Sequence, residues 1–265
     1  MVFLRLRKGV RKKKLQVVTI APYLANGSAK VNATLIATPP GGEVDALADV
    51  ELDSGTVLLV GERAAQIPGL FSALVDAASR SGARLAWVPR RAGDRGAVEA
   101  GCLPNLLPGG RPASDRTAAV DLGAAWGVDR LPTEPGLDGD AMLAAAASGA
   151  LQALVVAGLQ PTDLADSDAA RDAFEKVGFL VSLEQRVSDV TSRADVVLPV
   201  ALVEEQAGTF LDWEHRAGRV NRVNREAASP MTDLRVLAAL ADALGSDLGV
   251  RTPKAALAEL TELGA

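Results

Sequence analysis

Residues 55–89 read GTVLLVGERAAQIPGLFSALVDAASRSGARLAWVP. The stretch opens on a continuous apolar run, 55–61, and closes on another, 83–89. Between them Ile67, Leu70, Phe71, Leu74, Val75 and Ala78 recur at helical spacing, with Gly82 placed to stop the helix. Strands that are apolar throughout, rather than alternating, are buried on both faces, and that is the mark of a parallel sheet joined by helices.

The pattern repeats outward. LQVVTIAP (15–22), ALQALVVAG (150–158), GFLVSLE (178–184) and ADVVLP (194–199) are further apolar runs. Helical spacing predicts an N-terminal helix over 2–13 and an Ala-rich helix over 140–148 ending at Gly149. Ser167 is expected to cap a helix reaching Val177, Thr232 a helix over 233–244, and Pro253 to open a last one. Pro39-Pro40-Gly41-Gly42 reads as a turn. The fold class is therefore α/β, with parallel sheets covered by helices. Ligands of such folds bind beyond the carboxyl ends of the strands. The loops after Val60, Val88, Ala157, Leu183 and Leu198 form the candidate edge.

Composition agrees. Of 265 residues 48% are apolar but only 3% aromatic, so the core is built of Val, Leu and Ala. No stretch approaches the ~20 apolar residues that span a bilayer, and no leader-type apolar run follows the basic start. The expected compartment is cytoplasmic. One cysteine, Cys102, and one histidine, His215, are present. An iron–sulfur cluster takes about four thiolate ligands and a structural zinc about four Cys or His ligands, so neither can be held by this chain alone. The net charge is −5, yet residues 1–14 carry seven basic side chains and no acid. With no aromatic interleaving or further basic patch, this run reads as a solvated helix face rather than a nucleic-acid contact.

No glycine-rich dinucleotide loop, phosphate loop or nucleophile elbow follows any strand. Residues 89–116 break any long element with prolines and glycines and form a long loop, with Gly96, Gly101 and Pro108 shaping it. Gly158, Gln160 and Pro161 shape a turn after a strand. Gly208, Thr209 and Phe210 let the chain turn while Phe210 inserts into the core. Glu205, Glu214 and Arg216, with Arg219, are expected to form ion pairs that fix this loop. Cys102 reads as a small apolar residue.

In order along the chain, four segments resemble the molybdopterin oxidoreductases. These are FLRLRKGVRKKKLQVVTIAP (3–22), GDRGAVEAGCLPNLLPG (93–109), ALVVAGLQP (153–161) and TSRADVVLPVALVEEQAGTFLDWEHRAGRV (191–220). Within that superfamily they look like the large iron–sulfur subunit of actinobacterial-type NADH-quinone oxidoreductase. The resemblance implies an α/β fold that starts after the family's first strand. It divides the chain into 1–92, 93–224 and 225–265, the last carrying C-terminal helices. It implies a scaffold for electron transfer from NADH to quinone, partnered by other peripheral-arm subunits and touching the membrane only through them. No cofactor is expected on this chain. The alternatives are a remnant binding molybdopterin guanine dinucleotide through Gly96, Gly101, Gly158, Gln160, Pro161, Gly208 and Thr209, and a cofactor-free interaction module. His215 stands where the family has the glycine of E-G-R; a glycine there can take a positive φ that histidine accepts less easily, so the turn is expected to differ.

Overall fold

The computed structural model describes residues 2–89, 93–224 and 230–264. Two compact units divide after residue 91.

In the first unit α1 (Val2–Lys13) leads to β1 (Val18–Ala21), α2 (Asn26–Ala29), β2 (Thr34–Ala37), α3 (Glu43–Ala48), β3 (Val57–Gly61), α4 (Leu70–Ser81) and β4 (Arg84–Val88). β1 pairs in parallel with β2, and β3 in parallel with β4, as two separate two-stranded sheets. Leu47 of α3 and Leu70, Leu74 and Ala77 of α4 bury one face of these strands, packing on Ile20, Leu58 and Val60. Gly82 ends α4 at φ +73, where its N–H reaches the Ala78 carbonyl. Before β3, Asp53 accepts from the Thr56 hydroxyl at 2.7 Å and the Gly55 N–H at 3.0 Å. The Thr56 bond, then the Gly55 bond, hold its carboxyl below the ordinary carboxylate range.

In the second unit the long loop forms α5 (Asp94–Glu99), β5 (Leu106–Leu107) and β6 (Arg111–Pro112); residues 90–92 of the expected loop lie outside the described residues. There follow α6 (Arg116–Trp126), α7 (Gly139–Ala147), β7 (Ala153–Ala157), α8 (Ser167–Lys176), β8 (Phe179–Glu184), β9 (Val196–Pro199), β10 (Gly208–Leu211), β11 (Ala217–Val220), α9 (Asp233–Ala243) and α10 (Pro253–Leu263). The order β7-β8-β9 is a parallel sheet. The expectation of parallel strands flanked by helices holds.

This sheet is covered twice. Ala146 of α7 and Ala170, Ala173 and Phe174 of α8 pack on Val156 and Leu180. On the other face Val236 of α9 packs on Leu183 and Val200, with Val181 and Leu198 beside them. α9 and α10 thus belong to the same unit as the sheet.

The caps explain the helix starts. Thr232 accepts from Arg235 N–H at 3.4 Å and Thr252 from Ala255 N–H at 3.2 Å, with Pro253 in the first turn. For α8 the cap is Asp166 rather than Ser167. Asp166 has extended backbone and accepts from Asp168 and Ala169, while Ser167 is already helical.

Phe174 is 3% exposed, so its truncation removes buried apolar area and leaves a hole between α8 and the sheet. We expect Phe174→Ala to lower the free energy of unfolding by about 3–5 kcal/mol in urea titrations.

Candidate functional site

The carboxyl edge of β7–β9 is the edge where parallel sheets place ligands. The cleft at this edge measures about 500 Å³ and is lined by Gly158, Glu184, Arg186, Leu202 and Asp233 among others. A cleft of about 510 Å³ in the first unit lies away from any strand end, lined by α3, α4 and the chain after α3. Gly158 leaves β7 at φ +60 and donates its N–H to the Leu183 carbonyl at 3.0 Å. Pro161 is buried, and the Gln160 N–H donates to the Asp163 carboxylate at 3.1 Å, closing the turn before α8. Glu184 ends β8 with 8% exposure; its carboxylate accepts the Gln185 N–H at 2.8 Å. Gln185 in turn donates its amide to the Ala201 carbonyl at 3.0 Å, tying the ends of β8 and β9 together.

The second group of expected residues gathers on the long loop and the antiparallel pair β10–β11. Gly96 lies in α5 against β10, where an added Cβ would sit 3.8 Å from the Leu211 nitrogen. Gly101 follows α5 at φ +79, and a Cβ there would lie 2.7 Å from both the Leu107 oxygen and the Pro108 nitrogen. No other residue meets both demands, so this loop can fold back on itself only with glycine at 101. Gly208 and Thr209 lie in β10, opposite Val220 and Arg219. Phe210 does not enter the core. It is 42% exposed and lies across the hairpin on Gly218, where any Cβ would overlap its ring. The ring packs instead on its cross-strand partner.

The hairpin tip is held by Asp212, whose carboxylate accepts the N–H groups of Glu214 and Arg216, both at 2.9 Å. Arg216 pairs with Glu214 and, at 3.4 Å, with Asp212. Its side chain is 57% exposed, so these pairs act at the surface, where each contributes about 0–1 kcal/mol. Glu205 accepts the Leu202 N–H at 3.0 Å and closes a 3₁₀ turn over Val203–Glu205. His215 adopts φ +62, so the turn keeps the glycine-like conformation and does not differ as expected. Its Nδ1 lies 3.3 Å from Glu99, which also binds Arg95 at 2.6 Å, so α5 and the hairpin tip share one carboxylate.

Gly158, Gln160 and Pro161 thus shape the sheet edge, whereas Gly96, Gly208 and Thr209 shape the α5–hairpin contact. Three residues not among the expected site residues join elements around these loops. Asp195 accepts the Leu180 N–H at 2.7 Å and returns its own N–H to the Leu180 carbonyl at 2.9 Å, setting β9 beside β8. Arg111 donates to the carbonyls of Pro108 at 3.0 Å and Leu263 at 2.6 Å, joining the long loop to the end of α10. Trp126 donates to Glu259 at 2.9 Å. Each is a lone polar residue whose partner is distant in sequence, or spaced outside any local pattern. Cys102 is exposed, not a core residue. Among the described residues no group of three or more His, Cys, Asp or Glu could hold a metal, and no helix is long and apolar enough to cross a membrane.

These features define a parallel α/β protein with strand-end loops folded by glycine and tied down by hydrogen bonds to neighbouring loops. The chain belongs to the molybdopterin oxidoreductase family, which it matches over residues 1–244. It is 50% identical over 273 aligned positions to the G subunit of NADH-quinone oxidoreductase from Mycobacterium tuberculosis, covering 99% of this chain and 34% of that protein. The subunit of the same name from Streptomyces coelicolor is 46% identical over 286 positions, covering 100% of this chain and 34% of that protein. A nitrate reductase of Symbiobacterium thermophilum is 31% identical over 150 positions, covering 56% of this chain and 20% of that protein. The chain therefore spans about a third of the length of its NADH-quinone oxidoreductase relatives.

Two substitutions check the loop geometry. Gly101→Ala should destabilise the second unit by about 2–4 kcal/mol, from left-handed strain plus overlap with the backbone of Leu107 and Pro108. His215→Gly should be close to neutral, because relief of φ offsets the lost Glu99 contact, whereas His215→Val should cost about 1–2 kcal/mol. Urea titrations of the three variants read both effects; a neutral Gly101→Ala would contradict the loop as described.

Proposed function

We propose that this chain is a scaffold element of the large subunit of an NADH-quinone oxidoreductase, supporting electron transfer from NADH to quinone without a redox centre of its own. The observation that carries the reading is the chemistry of the sheet edge. Glu184 and Asp233 face the cleft at the ends of β7–β9, with Arg186 the cation among its lining residues. A molybdopterin guanine dinucleotide would bring a pyrophosphate to this edge. Anions of that kind are held by N–H groups, helix N-termini and clustered cations. A buried carboxylate such as Glu184 opposes such a charge at this cleft, which supports a scaffold reading. The Gln160 N–H and the Gln185 amide tie this edge to its own loops.

Kinship supports the same reading, since identity to the NADH-quinone oxidoreductase relatives runs the length of this chain. Iron–sulfur ligation is out of reach for a chain with one cysteine and one histidine. On this reading the partners are the other subunits of the peripheral arm. The chain sits at the cytoplasmic face of the membrane through them, and nucleic acid has no part in its role.

Metal and pterin analysis of the purified chain tests the proposal. Molybdenum and oxidised-pterin fluorescence should both fall far below one per chain. Stoichiometric molybdenum with pterin, surviving gel filtration, would overturn it in favour of a dinucleotide-binding protein.

A further inference from the structure

A second cleft of the second unit measures about 710 Å³ and opens along one face of α9, between residues 205–207 and the start of α10. It shares no lining residue with the cleft at the sheet edge. Its cations are Arg222, Arg235 and Arg251, and its carboxylates Glu205 and Asp242. In a chain of net charge −5, three arginines on one cleft call for an explanation. We propose that this cleft binds a phosphate ester of about nucleotide size, with the phosphate held by the arginines and the body of the ligand on the apolar part of the lining.

Local contacts bring the arginines together. Val223 and Asn224 donate their N–H groups to the Glu204 carbonyl at 2.8 and 2.9 Å, which sets Arg222 beside the turn that ends at Glu205. Met231 bridges to Val200, and its carbonyl accepts the Ala201 N–H at 3.0 Å, so the chain leaving β9 fixes the start of α9. Thr232, Arg235, Ala239 and Asp242 then recur at helical spacing and form one wall. Arg251 reaches Asp242 at 2.8 Å and folds the start of α10 back onto the end of α9.

The balance of charge favours an anion. Both carboxylates are already engaged: Glu205 accepts the Leu202 N–H at 3.0 Å, and Asp242 holds Arg251. Arg235 is exposed and, among the described residues, has no ion pair. It stands in the first turn of α9, while Arg251 directly precedes Thr252, the capping residue of α10. The first turn of α10 carries Lys254 and no acid, and the acid of the α9 first turn, Asp233, lines the sheet-edge cleft instead. Cations at the positive end of a helix are held at a cost, which an anion bound between them removes.

The residue types narrow the ligand. All the cations of the lining are arginines and none is a lysine. A planar guanidinium offers paired N–H donors that match two oxygens of a phosphate, whereas an ammonium is a point charge. Three such groups suit a dianion better than a single carboxylate. Met231, Ala238 and Pro253 give the cleft an apolar side that bare phosphate would leave empty. Small-molecule sites occupy ~300–1,000 Å³, a range that includes this cleft.

Nuclear magnetic resonance of the full chain, read at the Arg235 Nε–H group, tests the proposal with ADP, inorganic pyrophosphate and adenosine as probes. ADP should shift this resonance saturably with a Kd below about 1 mM, pyrophosphate should compete with it, and adenosine should not bind at the same concentrations. By calorimetry Arg235→Gln should weaken ADP at least about tenfold, and Arg235→Lys, which keeps the charge but not the fork, should fall between. Arg235 is exposed, so neither variant should move the midpoint of urea unfolding. Arg186→Gln, at the sheet edge, should leave ADP affinity within about twofold. Absence of saturation, an equal response to sodium chloride at matched ionic strength, equal affinity for adenosine, or undiminished affinity in Arg235→Gln would each overturn the proposal. So would a loss of affinity in Arg186→Gln alone, which would place the anion at the sheet edge.

Discussion

A parallel strand has to be paired along its edges and covered on both faces, because its side chains are apolar on both sides and its peptide groups have no water to turn to. Every other feature of this protein follows from how far that demand is met. In the second unit it is met for the central strand: β8 lies between β7 and β9, α7 and α8 cover one face, and α9 covers the carboxyl half of the other, while Val155 and Phe179 stay about half exposed. Leu180, Leu183 and Ser182 of β8 are almost inaccessible as a result. In the first unit it is met on one face only, and the sheet is interrupted.

The completed sheet gives the loops at its end something rigid to stand on. Asp195 fixes β9 against β8, Gln185 ties the end of β8 to the chain after β9, and the turn from Gly158 to Asp163 closes on itself. The α5–hairpin region is held in the same manner through Glu99, Asp212 and Arg111. Polar groups committed to one another in this way stiffen a surface.

Much of this is legible in the sequence. The uninterrupted apolar runs at 55–61, 83–89, 150–158 and 178–184 mark β3, β4, β7 and β8 because parallel strands leave so little room for polar residues. Gly82, Gly149, Thr232 and Pro253 mark helix ends through local backbone chemistry alone. Other elements are not. His215 misleads: in place of a glycine it predicts a different turn, yet it keeps the glycine-like φ of +62. β2 is only four residues long, just before Pro39-Pro40, and α6 carries Gly123 in its interior and follows a loop rich in proline. Phe210 misleads because an aromatic residue beside Gly-Thr looks like a core insertion, and nothing in the local pattern reveals that its ring lies on Gly218 across the hairpin. Arg111 and Trp126 hold contacts to α10 across more than 130 residues, which no local pattern encodes.

The contrast between a completed and an interrupted sheet is most directly measured by native-state amide exchange on the isolated chain in increasing denaturant. Leu180 and Ser182 should exchange only through global opening of the second unit. The strands β1 to β4 should exchange through smaller openings, at free energies lower by several kcal/mol. Equal protection in both units, with the same dependence on denaturant, would contradict a first unit whose sheet is incomplete.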